Sequence, residues 1–289
     1  MPAIATLHTI PPAPTPRERA ILSELIATAA ATVVMSRAAA TLLKTAYGIP
    51  ARRVDVIPHG VPDLPLVDSA TIKPAVGLEG REVILSFGLL GPDKGYELVI
   101  DALPAVVAAH PTVCYAIVGP THPDVLAVDG EAYRESLVAR VKALGMTKHV
   151  QFVDRFVGRV ELTRWLQAAD VFVTPYPNLD QTVSGTLSYA IGAGRAVVST
   201  PYAYAAAVLA DGRGVLVPPG SPTSFAAALN EVLGDDALRA RMGRRAYDYS
   251  RQMAWSKVGA EYTALFRRVG AAASVVTATS SVGMAAISA

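Results

Sequence analysis

The chain has 289 residues and a formal net charge of +2; it is 52% hydrophobic and only 17% charged. A chain this long and apolar is not disordered and buries a large core; at about 150 residues per domain it is sized for two domains. Its near-neutral balance gives no electrostatic case for a nucleic-acid partner. The lone cysteine, Cys114, excludes an internal disulfide and any cysteine-cluster metal site.

From the N-terminus, Met1 to Arg17 lacks a basic segment followed by an apolar run, so it does not read as a signal peptide. Short β-branched runs then alternate with helical stretches. Strands are predicted at Ala3–His8, Thr32–Met35, Val54–Ile57, Val83–Phe87, Cys114–Val118, Val150–Val153, Val171–Thr174, Ala196–Ser199 and Gly214–Val217. Helices are predicted between them at Pro16–Ala29, Arg37–Tyr47, Tyr96–Ala109, Glu131–Leu144, Arg159–Ala168 and Thr186–Ala193. After the last strand only helices follow, at Ser221–Leu233, Asp236–Ser250 and Trp255–Val269. This alternation predicts an α/β protein with doubly wound parallel sheets that carry helices on both faces, and Val83-Ile84-Leu85-Ser86-Phe87 is as apolar as a strand covered on both faces requires.

The rhythm breaks between Pro58 and Gly80, where prolines and glycines cluster as in a linker. The expected organisation is a partial front domain at 1–62, a linker at 63–80, a complete back domain at 81–254, a final helix at 255–269 and a disordered tail at 270–289. The tail carries no charge and is as long as a membrane span. Its Ala, Ser, Thr, Gly and Val content contributes little to insertion, so no span is expected there.

Two segments follow strands and open helices, the place where doubly wound sheets bind anions. The first is Gly88-Leu89-Leu90-Gly91-Pro92-Asp93-Lys94-Gly95, in which Lys94 can meet a phosphate as a point charge. It is neither a Walker loop nor a GxGxxG fingerprint, and by itself it is equally a glycine turn with a solvated lysine. The second is Asp180-Gln181-Thr182-Val183-Ser184-Gly185-Thr186, in which Ser184 or Thr186 caps the next helix; an ordinary capped helix accounts for it as well. Gly192-Ala193-Gly194 precedes a strand and reads as a helix end. The five histidines, His8, His59, His110, His122 and His149, have no zinc-type spacing, so no metal site is expected. His8 stands at the end of a strand, where a loop begins.

Taken together, the motifs resemble those of the retaining GT-B glycosyltransferases of family 4, the group 1 glycosyl transferases. The turn Ser86 to Gly95 is similar to that family's diphosphate-binding turn. Ala168 to Thr200 is similar to its donor-site signature, Asp211 to Gly220 to the stretch that follows, and Ile57-Pro58-His59-Gly60-Val61 to its hinge. Asp180-Gln181-Thr182 and Thr121-His122-Pro123 resemble the mannosyltransferase-like subgroup. The resemblance runs from about residue 1 to residue 268 and implies two Rossmann-like domains, with the last helix, Trp255–Val269, crossing back to the front one.

The resemblance implies transfer of a hexose, mannose among them, from a nucleotide-diphosphate sugar to a glycan or lipid acceptor with retention, without metal or cofactor. The donor would be GDP-mannose or a UDP-hexose. Gly88 and Lys94 fall on its diphosphate positions, and Asp154 and Arg155 on the loop bordering the nucleoside. Asp180 and Gln181 fall near the sugar, Ser184, Gly185 and Thr186 on the helix start beneath the diphosphate, and His8 on the front-domain histidine facing the transferred sugar. Three departures stand out. Leu89 replaces a usual arginine, for which Arg155 is the expected substitute. Gln181 and Tyr189 replace two glutamates. The front domain is shortened, for which the expectation is self-association, a partner over it or a longer true start. A cytoplasmic protein, peripheral at the inner membrane face, is expected. An inactive nucleotide-sugar-binding module is the alternative; a nicotinamide oxidoreductase is disfavoured because no strand–GxGxxG–helix unit exists.

Overall fold

A computed structural model describes residues 2–285; for 273–285 only the backbone is described. The chain divides into two compact units, residues 1–60 with 252–289, and residues 61–251.

The first unit holds a three-stranded parallel sheet in the order β1 (Ile4–Leu7), β2 (Ala31–Val34), β3 (Val54–Val56). Helices α1 (Pro16–Thr28) and α2 (Arg37–Tyr47) connect the strands. Each starts where the sequence supplies a cap: Thr15 and Glu18 form a reciprocal capping box, and the Ser36 hydroxyl accepts from the Ala39 N–H. The central strand is covered on both faces. Val34 joins Leu7, Ile26 and Leu43 on one side; Val33 joins Val258, Leu265 and Val269 of the last helix on the other.

The second unit is a six-stranded parallel sheet, β4 (Glu82–Phe87), β5 (Val113–Val118), β6 (Val150–Val153), β7 (Val171–Thr174), β8 (Ala196–Ser199) and β9 (Val215–Leu216), in the order β6-β5-β4-β7-β8-β9. Helices α3 (Tyr96–Ala109), α4 (Pro123–Asp129), α5 (Ala132–Ala143), α6 (Arg159–Ala168), α7 (Gly185–Gly192), α8 (Ala203–Val208), α9 (Pro222–Gly234) and α10 (Asp236–Ser250) connect and follow these strands. Ile84, Tyr115, Ile117, Val171 and Val198 share one core with Leu103, Leu137 and Phe225 of α3, α5 and α9. Residues of the opposite parity, such as Val83, Leu85, Phe172 and Val197, are equally buried, and α6 and α7 pack on the sheet as well.

Two expectations are corrected. Residues 63–80 are not a free linker: they form two short 3-10 turns (Ser69–Thr71 and Lys73–Val76) packed on α6. Buried Asp170 holds them, its carboxylate accepting from Ser69 Oγ (2.6 Å) and the Val83 N–H (2.7 Å) and pairing with Lys73 Nζ (2.7 Å). Arg195 donates to the carbonyl oxygen of Val67 (3.0 Å) from the same end of the sheet. Nor does the last helix stop at Val269. Helix α11 (Trp255–Ala285) continues through Gly270-Ala271-Ala272-Ala273, because alanine favours helix and no proline intervenes; residues 286–289 of the expected tail lie outside the described residues. Among the described residues no helix is long and apolar enough to cross a membrane.

Candidate functional site

In the second unit the strand order reverses between β4 and β7, and a doubly wound sheet opens a crevice at the carboxyl ends of the strands there. The segments leaving β4, β5 and β7 are drawn together at this point. After β4 the chain turns at Gly88, with φ of +134°, and its N–H donates to Val118 O (2.9 Å). Gly119, at φ +138°, lies against it: a Cβ on Gly119 would stand 2.0 Å from the carbonyl oxygen of Gly88. Leu90 N–H donates to Pro120 O (2.9 Å) and His122 N–H to Leu90 O (2.8 Å), so the two loops pair beyond the ends of their strands. Gly95 makes a second close approach, as its Cβ would sit 2.3 Å from Pro175 O after β7. Only glycine fits these positions.

Helix α7 starts beside that turn. Ser184 caps it by accepting from the Leu187 N–H (3.3 Å), which leaves the Gly185 and Thr186 N–H groups at the open first turn. Thr186 Oγ1 shares hydrogen bonds with Tyr176 Oη (2.9 Å) and Ser184 Oγ (3.2 Å). Its methyl group would lie 3.4 Å from a Cβ at Gly88, so the two predicted segments meet. Lys94 sits in the 3-10 turn Pro92–Lys94. Its Nζ lies 2.7 Å from Asp93 Oδ2 and 4.9 Å from the ring centre of Tyr176, which itself stacks on Tyr202 at 5.1 Å. Lys94 with its Asp93 partner, the Tyr176 and Thr186 hydroxyls and the Gly88 backbone thus adjoin one another in series beside the first turn of α7, a combination that suits an anion.

The other predicted residues have different settings. Asp180 is exposed, and its backbone N–H donates to Asn178 Oδ1 (2.9 Å). Gln181 donates its side-chain N–H to Val183 O (2.8 Å), while its backbone carbonyl accepts from the Tyr204 N–H (3.0 Å). Tyr189 packs its ring 6.3 Å from that of Phe87, the last residue of β4. Asp154, just after β6, pairs through Oδ1 with Arg134 Nη2 (2.8 Å). Arg155 is not brought to the Gly88 turn. It forms a two-point ion pair with Glu161 (2.8 and 2.5 Å), about 10 Å and two strands away from β4. The Glu161 carboxylate pushes the Arg155 pKa up and is itself held below the usual carboxylate range. The pair lines a cavity of 540 Å³ with Gln151, Trp165 and Val76. The expectation that Arg155 replaces the missing charge at Leu89 is therefore corrected.

In the first unit, His8 is exposed one residue beyond β1. His59 places Nδ1 2.8 Å from Gly60 O beside Trp255; burial lowers its pKa, and His8 adds to that effect against the hydrogen bond. A cavity of 570 Å³ lies at the amino ends of β7 and β8, beside Asp170 and Arg195, and belongs to the scaffold at the opposite end of the sheet. Among the described residues no cluster of three or more His, Cys, Asp or Glu side chains is placed to hold a metal ion. Sequence reasoning missed Gly119, Tyr176 and Arg134. A glycine directly after a strand was an available signal for the first.

The model of the glycosyl transferases group 1 matches residues 68–249, and that of Glycosyltransferase Family 4 matches residues 1–63. A D-inositol 3-phosphate glycosyltransferase of Jonesia denitrificans is 29% identical over 96% of this chain and 68% of its own length. A phosphatidyl-myo-inositol mannosyltransferase of Mycolicibacterium smegmatis is 31% identical over 75% of this chain and 52% of its own. The chain thus spans between half and just over two thirds of these relatives. Among solved structures, Anabaena Alr3699/HepE in complex with UDP superposes with a TM-score of 0.78 at 20% identity, covering 92% of this chain and 72% of its own. The folds of its neighbours are those of GT-B glycosyltransferases. With a family model matching residues 68–249, more than half its length, the chain belongs to the group 1 glycosyl transferases.

Proposed function

We propose that the second unit binds the diphosphate of a nucleotide sugar at the convergence of Gly88, Lys94 and the start of α7, and that the protein transfers its hexose to an acceptor hydroxyl with retention. The observation that carries this reading is the meeting of the two predicted segments at one anion-suited point. Lys94 and the Gly185 and Thr186 N–H groups offset the charge of the leaving diphosphate. In a front-side displacement the acceptor oxygen bonds to the anomeric carbon on the face from which the diphosphate oxygen leaves, and the acceptor proton passes to that oxygen. This reading assigns no cofactor and no protein nucleophile. His8 is its residue for the transferred sugar, and Asp180 with Gln181 are its sugar-side contacts.

The mannosyltransferase name among the relatives supports GDP-mannose; structures of Anabaena HepE with UDP-glucose support a UDP-hexose. The inositol 3-phosphate and phosphatidyl-myo-inositol in the relatives' names support a polyol, glycan or lipid acceptor. A lipid acceptor would place the chain at the inner membrane face. One observation favours a second reading, a binding module without turnover. The Gln181 amide already braces Val183 O, and Leu89 supplies no second cation at the turn.

Thermal unfolding with GDP, GDP-mannose, UDP, UDP-glucose and NAD tests the site. At about 100 times its dissociation constant the true ligand adds about 2.7 kcal/mol to stability, and Lys94→Ala weakens that ligand at least about 10-fold. A cooperative transition unmoved by every nucleotide would defeat the donor site. Donor hydrolysis or transfer then separates the enzyme from the binding module.

A further inference from the structure

We propose that Arg134 is a positioning residue for the donor site, fixing the nucleoside-side carboxylate of Asp154 and the glycine contact behind the diphosphate turn. The inference rests on the donor reading above and deepens it. Arg134 lies in the first turn of α5 and is 7% exposed. Its guanidinium gathers the loops that leave β5 and β6. Nη2 donates to Gly119 O (3.0 Å) and pairs with Asp154 Oδ1 (2.8 Å). Nε donates to Thr121 Oγ1 (3.3 Å) and Glu131 Oε2 (3.2 Å), and the Thr121 hydroxyl itself donates to Glu131 Oε2. Nη1 is buried without a partner.

Stability alone does not call for this arrangement. A buried guanidinium with one donor unsatisfied is a costly way to fill space, and apolar side chains of similar volume commonly serve as well or better. What the guanidinium supplies is placement. A planar fork fixes two strand ends at a set angle, which a flexible ammonium group does not. Through Gly119 it backs the Gly88 turn, since those two backbones are in contact. Through Oδ1 it orients Asp154, whose side chain is half exposed and keeps Oδ2 as an acceptor for an N–H or hydroxyl of the nucleoside. One side chain thereby sets both the diphosphate end and the nucleoside end of the same cradle.

The test is a double-mutant cycle on the full chain, titrated calorimetrically with GDP and UDP. Arg134→Met and Arg134→Lys are compared with Asp154→Asn and with the Arg134→Lys/Asp154→Asn pair, each checked for a cooperative melt. The expected result is a dissociation constant raised about 10-fold or more by each single change. The paired change should be no worse than the poorer single one, because both break one coupled unit. Arg134→Lys keeps the buried charge and carries the test where Arg134→Met fails to fold. Unchanged affinity in a folded Arg134 variant, or strictly additive losses, overturns the positioning role while leaving the donor site standing. No nucleotide bound by the unaltered chain overturns the donor reading and this role with it.

Discussion

Gly119 shows how much of the site is decided by the absence of a side chain. At φ +138°, with Gly88 O where its Cβ would be, it tolerates no other residue without moving the turn. Gly119→Ala is expected to cost about 2 kcal/mol or more in urea unfolding and to weaken nucleotide binding as well, because the displaced atom belongs to the Gly88 turn. An alanine variant matching the parent in both would show that the turn gives freely. At this scale the sequence was legible where chemistry is local. Gly88, Lys94, Ser184 and Thr186 follow strands and open helices, and they do meet. Tyr176 lies within the segment Ala168 to Thr200, but its place over Lys94 depends on a residue of another connection; Arg134 was not legible, because its link to Asp154 joins the connections after β5 and β6. Arg155 misled for the opposite reason: a local partner, Glu161 six residues on, holds its charge at the outer side of β6.

At the scale of elements, strand positions followed from β-branched runs flanked by turn residues, and the long helices from their periodicity and caps. Helices α4 and α8 escaped because six or seven residues are too few to show a period. The proline-rich stretch 61–80 misled in the opposite direction. Prolines there end regular structure without freeing the chain, since Asp170 and Arg195 tie the stretch to the amino ends of β7 and β8. Asp170→Ala leaves Lys73 and the Val83 N–H without their buried acceptor. A loss of about 3 to 5 kcal/mol is expected in urea unfolding, with nucleotide affinity retained because this network lies at the far end of the sheet from Gly88. A loss below about 1 kcal/mol would mean that the stretch is held by apolar packing alone.

At the scale of the molecule, alternation in the sequence was enough for the class, parallel sheets with helices on both faces. It was not enough for the boundary between the two units. The return of the last helix to the front domain was an expectation of the resemblance, not of the alternation; in the first unit the sheet-facing residues of α11 close the second face of β2. Strand order was likewise beyond a pattern-based reading. The reversal between β4 and β7 is set by the packing of helices on both faces, and it is what brings two distant segments to one crevice.

The single thiol of the chain turns this arrangement into a built-in gauge. Cys114 stands on β5, one strand from the reversal; it is 3% exposed, and burial pushes its pKa up. A thiol reagent in solution can therefore modify it only when the sheet of the second unit opens, whatever the first unit is doing. With reclosing faster than modification, the labelling rate is a clock for that opening. A nucleotide seated at Gly88 should slow the clock about 100-fold at about 100 times its dissociation constant. Labelling of the native chain as fast as that of the unfolded one would mean that β5 is not sealed.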